Sequence, residues 1–422
     1  MTETPPLSLW DASSAEAVLE SPLSGDCETD VVIVGGGFTG LSTALHAAQR
    51  GVQCHVLEAQ QIGHGGSGRN AGLVNAGLWL PPQDVRAALG EARGCALVSV
   101  LSDAPETVFT LIEQNQIRCE ATRTGTIHAA HAPSGFNDLA RRAAEWQRLG
   151  APVELLSKDR AAEMIGSNRF HGGLLDHRAG TINPMGYVRG LARAARAAGA
   201  KISTGVTVLG LQRLGDSWQL STSHGLVTAK RVVLATNAYT DQLWPGLSET
   251  YIPIHYFQLA TLPYGERTAG ILPGGQGLWD TGPIMASLRR DSFGRVIIGS
   301  MGRVIATGDL SQRWASRMLQ RLFPSLGPVE FEHAWHGRIA MTPDHLPSIL
   351  RLAEGVYTPI SYNGRGIGPG TVFGRALADY LAGEDERALP LPITNPHRLR
   401  RAPIMRRLYD LAFTANQFVK SV

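Results

Sequence analysis

The sequence predicts an α/β fold: a discontinuous nucleotide-binding part on parallel strands, with an α+β part on an antiparallel sheet inserted between its pieces. Three observations lead there. Residues 31–34 form a short apolar, β-branched run of the kind buried on both faces of a parallel sheet. Gly35, Gly37 and Gly40 follow as G-x-G-x-x-G, and Leu41, Ala44, Leu45 and Ala48 come next at helical spacing. Far along the chain, residues 356–381 repeat the order of strand, glycine-rich loop and helix.

In the first unit Gly35 allows the tight turn, Gly37 lets the backbone approach a pyrophosphate, and Gly40 lets the helix pack close to the strand. The helix N-terminus offers unpaired N–H groups to that anion. A second apolar run, residues 55–57, ends at Glu58, an acid placed to accept hydrogen bonds from a ribose 2′-OH. A glycine-rich turn without a ligand is the plainer alternative; strand, helix and acid together oppose it.

Composition sets the class. The 422 residues are 43% hydrophobic, enough for two domains with cores. With 39 basic against 36 acidic residues, the net charge of +3 makes no case for nucleic acid as a partner. Cys27, Cys54, Cys95 and Cys119 form no C-x-x-C pair and read as reduced thiols of a cytoplasmic protein. His333 and His336 form a lone H-x-x-H, too little for a metal site, and none is expected. No apolar run is long enough for a spanning helix, and residues 1–29 lack a signal-peptide layout. Those residues are expected to form a polar surface arm.

The remaining elements follow in order. Residues 59–84 are a glycine-rich loop suited to lie against a flat ligand, with Arg69 and Asn70 as anion and amide contacts. Residues 85–150 are mainly helical, with one strand at 125–130. Pro184 opens a helix that Gly199 closes. Strands at 206–211, 218–222 and 227–230 form a meander that feeds a separate buried strand starting at 231. Strands at 252–263, 284–288, 296–298 and 331–341, with a helix near 309–323, form a sheet able to roof a cavity. After the strand at 356–360 comes the loop Tyr362-Asn-Gly-Arg-Gly-Ile-Gly-Pro-Gly370, then a helix over 372–381. Its N-terminus suits developing negative charge on a ligand. The division is 28–84, 176–238 and 345–384 for the nucleotide part, and 85–175 and 239–344 for the substrate part. The basic tail 385–422 is expected to be a solvated helix packed on the protein; contact with an anionic membrane surface is the minor alternative.

The Gly35–Gly40 loop with Glu58, the Ser67-Gly-Arg-Asn-Ala-Gly-Leu73 segment, Leu234-Ala-Thr-Asn-Ala238, Trp335-His-Gly-Arg-Ile-Ala-Met-Thr-Pro-Asp344 and Tyr362-Asn-Gly-Arg-Gly-Ile-Gly368 occur in that order. In this the chain resembles the FAD-dependent D-amino-acid-oxidase superfamily from about residue 28 to 384. Within it, the Gly-His-Gly-Gly-Ser-Gly-Arg-Asn, Gly-Thr-Ile-Asn-Pro-Met and Gly-Arg-Ile-Ala-Met-Thr-Pro-Asp-His strings are similar to bacterial L-pipecolate oxidases, and more loosely to γ-glutamylputrescine oxidases. The resemblance implies a Rossmann-like FAD-binding domain, with Gly35, Gly37, Phe38, Thr39, Gly40 and Glu58 on the ADP half. Ser67, Arg69, Asn70, Ala71, Gly72 and Leu73 would follow the path from pyrophosphate to flavin, with Ala235 and Thr236 in the adjoining turn. Val206 would hold the adenine through its backbone. Asn363, Gly364, Gly366, Ile367 and Gly368 would face the flavin ring.

Two departures from relatives bear on the chemistry. No cysteine follows Cys119, so the flavin is expected to be non-covalent. No lysine lies between Lys230 and Lys420, where some oxidases keep one to activate oxygen; the acceptor is therefore O2 or a quinone or similar carrier. The implied reaction is hydride transfer from the carbon beside an amine to flavin N5, with L-pipecolate going to a cyclic imine as first substrate. A γ-glutamylputrescine-type oxidase and a flavin-binding protein without turnover are the alternatives. No residue is singled out as an acid-base catalyst. Arg338 is the first candidate for a substrate carboxylate, because a guanidinium is planar and bidentate. Arg365, Tyr256, His255 and Trp335 are the other substrate candidates.

Overall fold

A computed structural model describes residues 7–304 and 310–421; residues 1–6 of the expected arm and position 309 of the expected helix lie outside them. The chain builds two large sheets. The first has a parallel centre in the order Val356–Ile360, Gly225–Leu234, Cys27–Val34, Cys54–Glu58, Lys201–Thr204. Val31 to Val34 are buried, as a central strand requires. Helices Phe38–Gln49, Pro184–Ala197 and Ile367–Leu381 pack one face through Leu41, Leu45, Tyr187, Leu191 and Leu377. The meander Val208–Leu214, Ser217–Thr222 covers the other with Trp218 and Leu220.

The second sheet has eight strands, from Phe331–Met341 and Ile252–Thr261 at one edge to Val153–Leu156 at the other. It is antiparallel except where Gly277–Asp280 runs parallel to Thr126–Ala129. That pair joins the two chain segments on either side of the nucleotide-binding strands, and so long a crossover permits parallel pairing. Helix Leu310–Leu322 closes its outer face, with Trp314 edge-on to Phe257.

Several elements differ from the sequence expectations. Residues 225–234 form one continuous strand rather than two, because its first half pairs with Ser217–Thr222 and all but its start also pairs with Cys27–Val34. The last helix starts at Ile367, inside the glycine loop, five residues before the expected start. Strand Lys201–Thr204 was not expected from its polar sequence; buried Ser203 is satisfied by a hydrogen bond with His55 (3.0 Å), which lets a polar run sit at depth. Strands Val153–Leu156, Gly173–Asp176 and Ser348–Ala353 are too short or irregular to show a period. Residues Glu91–Gln114 are apolar and long enough to cross a membrane by composition, contrary to expectation. They are two helices broken at Asp103, and Leu97, Leu101, Val108 and Phe109 are spent on the core.

From residue 7 onward, the N-terminal segment is not a loose surface arm. Ser8 caps a short helix, Leu9–Ala12, whose Leu9 and Trp10 are 1% exposed. Trp10 stands edge-on to Trp335 at 5.7 Å, and its indole N–H donates to the Asn70 carbonyl at 2.8 Å. Asp11 pairs with Arg189, and Glu16 with Arg193 at 2.9 Å. Trp10→Ala should therefore cost about 3–5 kcal/mol, the range for a truncated core aromatic. Urea unfolding measures it; a loss within the scatter of surface substitutions would return the segment to the surface.

Acid sensitivity follows from two core histidines. Burial pulls both His46 and His55 down to about 4 from the ordinary 6.5. Below 6.5 the unfolded chain takes up protons that the folded protein refuses, so this contribution is full above 6.5 and is lost as pH falls toward 4. His46→Gln should remove about one proton from the pH slope of the unfolding free energy over that window. An unchanged slope would mean that His46 titrates normally in the fold.

Candidate functional site

One cavity of about 840 Å3 runs between the two sheets and is lined from both glycine loops. That volume falls in the range of small-molecule and cofactor sites, about 300–1,000 Å3. At one end lie Gly35 to Thr39, Glu58 and Val206; at the other lie Gly364, Arg365, Gly366 and Ile367.

The first end is built by backbone. Helix Phe38–Gln49 begins at Gly37, which supplies no side-chain cap. Ser67 reaches across and its Oγ accepts the Phe38 N–H at 3.0 Å. A Cβ on Gly37 would meet that Oγ at 2.8 Å and push the Ser67 hydroxyl off the Phe38 N–H. Glu58 accepts the N–H of Gly36 at 2.7 Å and of Gln60 at 2.9 Å. Burial raises its carboxyl in spite of these bonds. Its remaining lone pairs face the cavity end and can take a hydroxyl. The donor set of helix N-terminus, glycine backbone and buried acid fits a dinucleotide.

Three of the expected cofactor contacts do not line the cavity. Gly40 packs behind it, where a Cβ would lie 2.1 Å from the Gly35 carbonyl oxygen. Gly72 is wedged against Arg289 and the Ile182 carbonyl. Gly368 lies in the first turn of the last helix against Ala104. Phe38, Thr39, Ser67, Arg69, Asn70, Ala71, Leu73, Ala235, Thr236 and Asn363 do line it. Asn70, expected as an amide contact, spends its side chain on its own loop. Nδ2 donates to the Gly66 and Ser67 carbonyls, and Oδ1 accepts the Gly72 N–H. Arg69 donates to the His64 carbonyl, while its own carbonyl receives Gln258 and Trp335.

The substrate candidates separate by strand alternation. Tyr256 faces the cavity, its hydroxyl 2.8 Å from Ser287 Oγ. His255, the preceding residue, therefore points to the other side, where it accepts from Arg303 and meets His336 edge-on at 5.6 Å. Burial and the Arg303 charge pull its imidazole down to about 3. His333 and His336, three apart on one strand, face opposite ways. Trp335 is fully buried beneath the Arg69 carbonyl, out of the cavity. Arg338 is exposed at the cavity edge, its guanidinium 4.3 Å from the Tyr239 ring.

Arg365 is the buried cation. It is 7% exposed and sits between the rings of Trp79 (4.9 Å) and Trp279 (5.2 Å). Nη1 donates to the Ala76 carbonyl at 2.7 Å; among the described residues Nε has no partner and no carboxylate is paired with the guanidinium. Burial pulls it down to about 9, and the nearby Arg142 charge adds to the pull. Arg142, on helix Pro133–Arg148, lines the same chamber and donates to the Trp79 carbonyl. His128 stacks on Trp279 at 4.8 Å and is kept neutral by burial and by both guanidiniums. Asp280 accepts the N–H groups of Gly282 and Ala286. Arg142, His128, Trp279 and Asp280 were missed by sequence reading. They come from elements with no motif, and only the sheet order gathers them.

The model of the family described as DAO, FAD dependent oxidoreductase, matches residues 30–380. The chain is 30% identical to the gamma-glutamylputrescine oxidoreductase of Escherichia coli (strain K12) over 385 residues, 90% of each chain. It is 29% identical to a probable oxidoreductase OrdL of Rhizobium meliloti (strain 1021), over 90% of this chain and 89% of that one. Among solved structures, glycine oxidase from Geobacillus kaustophilus superposes with a TM-score of 0.71 at 22% identity, covering 85% of this chain and 95% of that one. L-proline dehydrogenase from P.horikoshii gives 0.70 at 20% identity, over 87% and 98%. At these identities the two structures speak for the fold.

Proposed function

Because the chain belongs to the DAO family of FAD-dependent oxidoreductases, which act on amines and amino acids, we propose that it oxidises the amine of a carboxylate-bearing substrate. The observation that carries this is a cavity that joins a dinucleotide cradle to a buried arginine with no carboxylate paired to it among the described residues.

In this reading the backbone of Gly35 to Thr39 and the helix N-terminus hold the pyrophosphate. Glu58 accepts the ribose hydroxyl, and Val206 borders the adenine. The N-terminus of Ile367–Leu381, with Gly364 and Gly366, faces the flavin ring and favours negative charge there. Bound FAD supplies a two-electron acceptor for the hydrogen on the carbon beside the amine. No cysteine lines the cavity among the described residues, which supports a flavin held without a covalent bond.

The chain's own part is to bind and to deprotonate. Arg365, held by two indoles and the Ala76 carbonyl, offers an oriented fork to a carboxylate. An ammonium entering this chamber meets the Arg365 and Arg142 guanidiniums, which favour its neutral form, and the Asp280 carboxyl, whose proton affinity burial raises. The neutral amine is the state able to form a C=N bond. L-pipecolate remains the first substrate, with a cyclic imine as product. The second reading is a γ-glutamylputrescine-type substrate. It is favoured by the relative 30% identical and by Asp138 and Asp280, acidic side chains of the same lining that suit a substrate with two ammonium groups. The acceptor is O2 or a quinone; lysine is absent from the described cavity lining.

Acid precipitation should release all yellow colour to the supernatant, and colour retained on the protein would disprove the non-covalent arrangement. Anaerobic flavin bleaching by pipecolate, proline, sarcosine, glycine and γ-glutamylputrescine identifies the substrate. Arg365→Met should then raise KM for the acidic substrate roughly a hundredfold, the scale of a lost charged hydrogen-bond pair, and spare its decarboxylated analogue. Arg338→Met should affect both little. The reverse pattern would move the carboxylate site to Arg338.

A further inference from the structure

The C-terminal helix Ala402–Ser421 presents two apolar faces, of which the protein uses one. On the used face Ala402, Phe413 and Gln417 are buried. Gln417 fastens it: Nε2 donates to the Arg303 carbonyl at 3.3 Å, and Oε1 accepts Ser311 Oγ at 3.1 Å. Tyr409 stacks on Phe413 at 5.7 Å. The helix is thus a fixed part of the surface rather than a loose tail.

The opposite face carries Ile404, Leu408, Leu411 and Val419, exposed by 63%, 55%, 69% and 71%. With Ala415 the first three fall at i, i+4, i+7 and i+11, a straight stripe on a helix of 3.6 residues per turn. Single exposed apolar residues are ordinary on a soluble protein; an ordered stripe marks a surface that is covered. The same rotation puts Arg407 on one flank, and Arg401 lies in the turn that leads into the helix. Arg400, Arg401, Arg406 and Arg407 are all exposed, against one acid, Asp410.

We propose that this helix seats the protein on a bilayer containing anionic phospholipid, with the stripe in the acyl boundary and the flanking arginines at the phosphates. An apolar face edged by arginines is the layout of an interfacial helix. A second copy of the chain is the poorer occupant, because its copy of this helix would offer the arginines Asp410 as its one acid. Anionic headgroups supply the missing opposite charge, and the layer beneath them supplies the apolar depth.

The test uses full-length, flavin-loaded protein and flotation with two sets of vesicles, one of phosphatidylcholine alone and one of equal parts phosphatidylcholine and phosphatidylglycerol. Roughly tenfold more protein should float with the anionic set at low salt, and added salt should release it. Leu408→Ser with Leu411→Ser should abolish flotation, with flavin content and turnover unchanged. Arg401→Gln with Arg407→Gln should remove the preference for anionic vesicles. Leu411→Trp gives an independent readout that leaves the stripe apolar: its emission should shift to the blue on adding the anionic vesicles. Equal flotation of the native protein and the double serine variant, or no emission shift, would overturn the proposal. A native dimer that the serine variant converts to monomer would also overturn it, by assigning the stripe to a contact between copies.

Discussion

Everything at the site depends on the close approach of helices Phe38–Gln49 and Ile367–Leu381. A Cβ on Gly374 would come within 2.7 Å of Ser42 Cβ and the Thr39 carbonyl, so the helices meet nearly backbone to backbone. Ser42 Oγ donates to the Thr371 carbonyl at 2.7 Å, and Thr39 and Tyr362 share a hydrogen bond of 2.9 Å. These contacts join residues more than three hundred apart in sequence. They aim two helix N-termini into one cavity. Gly40 makes the matching approach to the strand below, so the first helix is held on two sides by positions without side chains.

The second constraint is charge. A guanidinium buried without an anion is costly, and the Arg142 charge adds to that cost at Arg365, whereas Glu145, Asp84 and Asp138 offset burial at Arg142 itself. Aromatic faces at 4.9 and 5.2 Å and one carbonyl at 2.7 Å compensate Arg365 in part. They also fix its plane. A carboxylate arriving there finds a partner that is already oriented and poorly solvated, so little ordering is left to be done on binding.

Legibility in the sequence followed the range of the interaction. The strand, glycine loop and helix at 31–48, the strands at 331–341 and 356–360, and the meander could be read because local period and turn chemistry specify them. The start of the last helix was misplaced because Gly366 and Gly368 read as loop, whereas tertiary contact with Ala104 and the first helix extends the helix to Ile367. Trp10 could not be read at all: the polar Pro/Ser-rich segment around it gives no sign that Trp335 and Arg289 wait for its ring. In the site, residues of glycine motifs were legible because their chemistry is in the backbone. Arg142, His128 and Trp279 were not, since the register that brings helix Pro133–Arg148 and strands Thr126–Ala129 and Gly277–Asp280 together has no local signature.

The choice between two arginines shows how a one-residue step decides chemistry. Gly337 and Arg338 are neighbours on strand Phe331–Met341, opposite Tyr256 and His255. Gly337 faces inward, where a Cβ would lie 3.2 Å from Arg69 Cβ. Arg338 must then project from the other face, with His255, and it bends back only as far as the Tyr239 ring at the cavity edge. A carboxylate held there would be partly solvated, and screening by water would weaken its hold. Arg365 belongs to no strand. It enters from the loop ahead of the last helix, where Ser361, Asn363 and Gly364 all adopt left-handed backbone conformations. Asn363 holds that turn, donating to the Ser361 carbonyl at 2.7 Å and accepting the Thr342 N–H at 2.7 Å. The same strained turn that frees the helix N-terminus therefore delivers the cation, and the acid-binding and ring-facing groups of the proposed site lie within a few residues of each other.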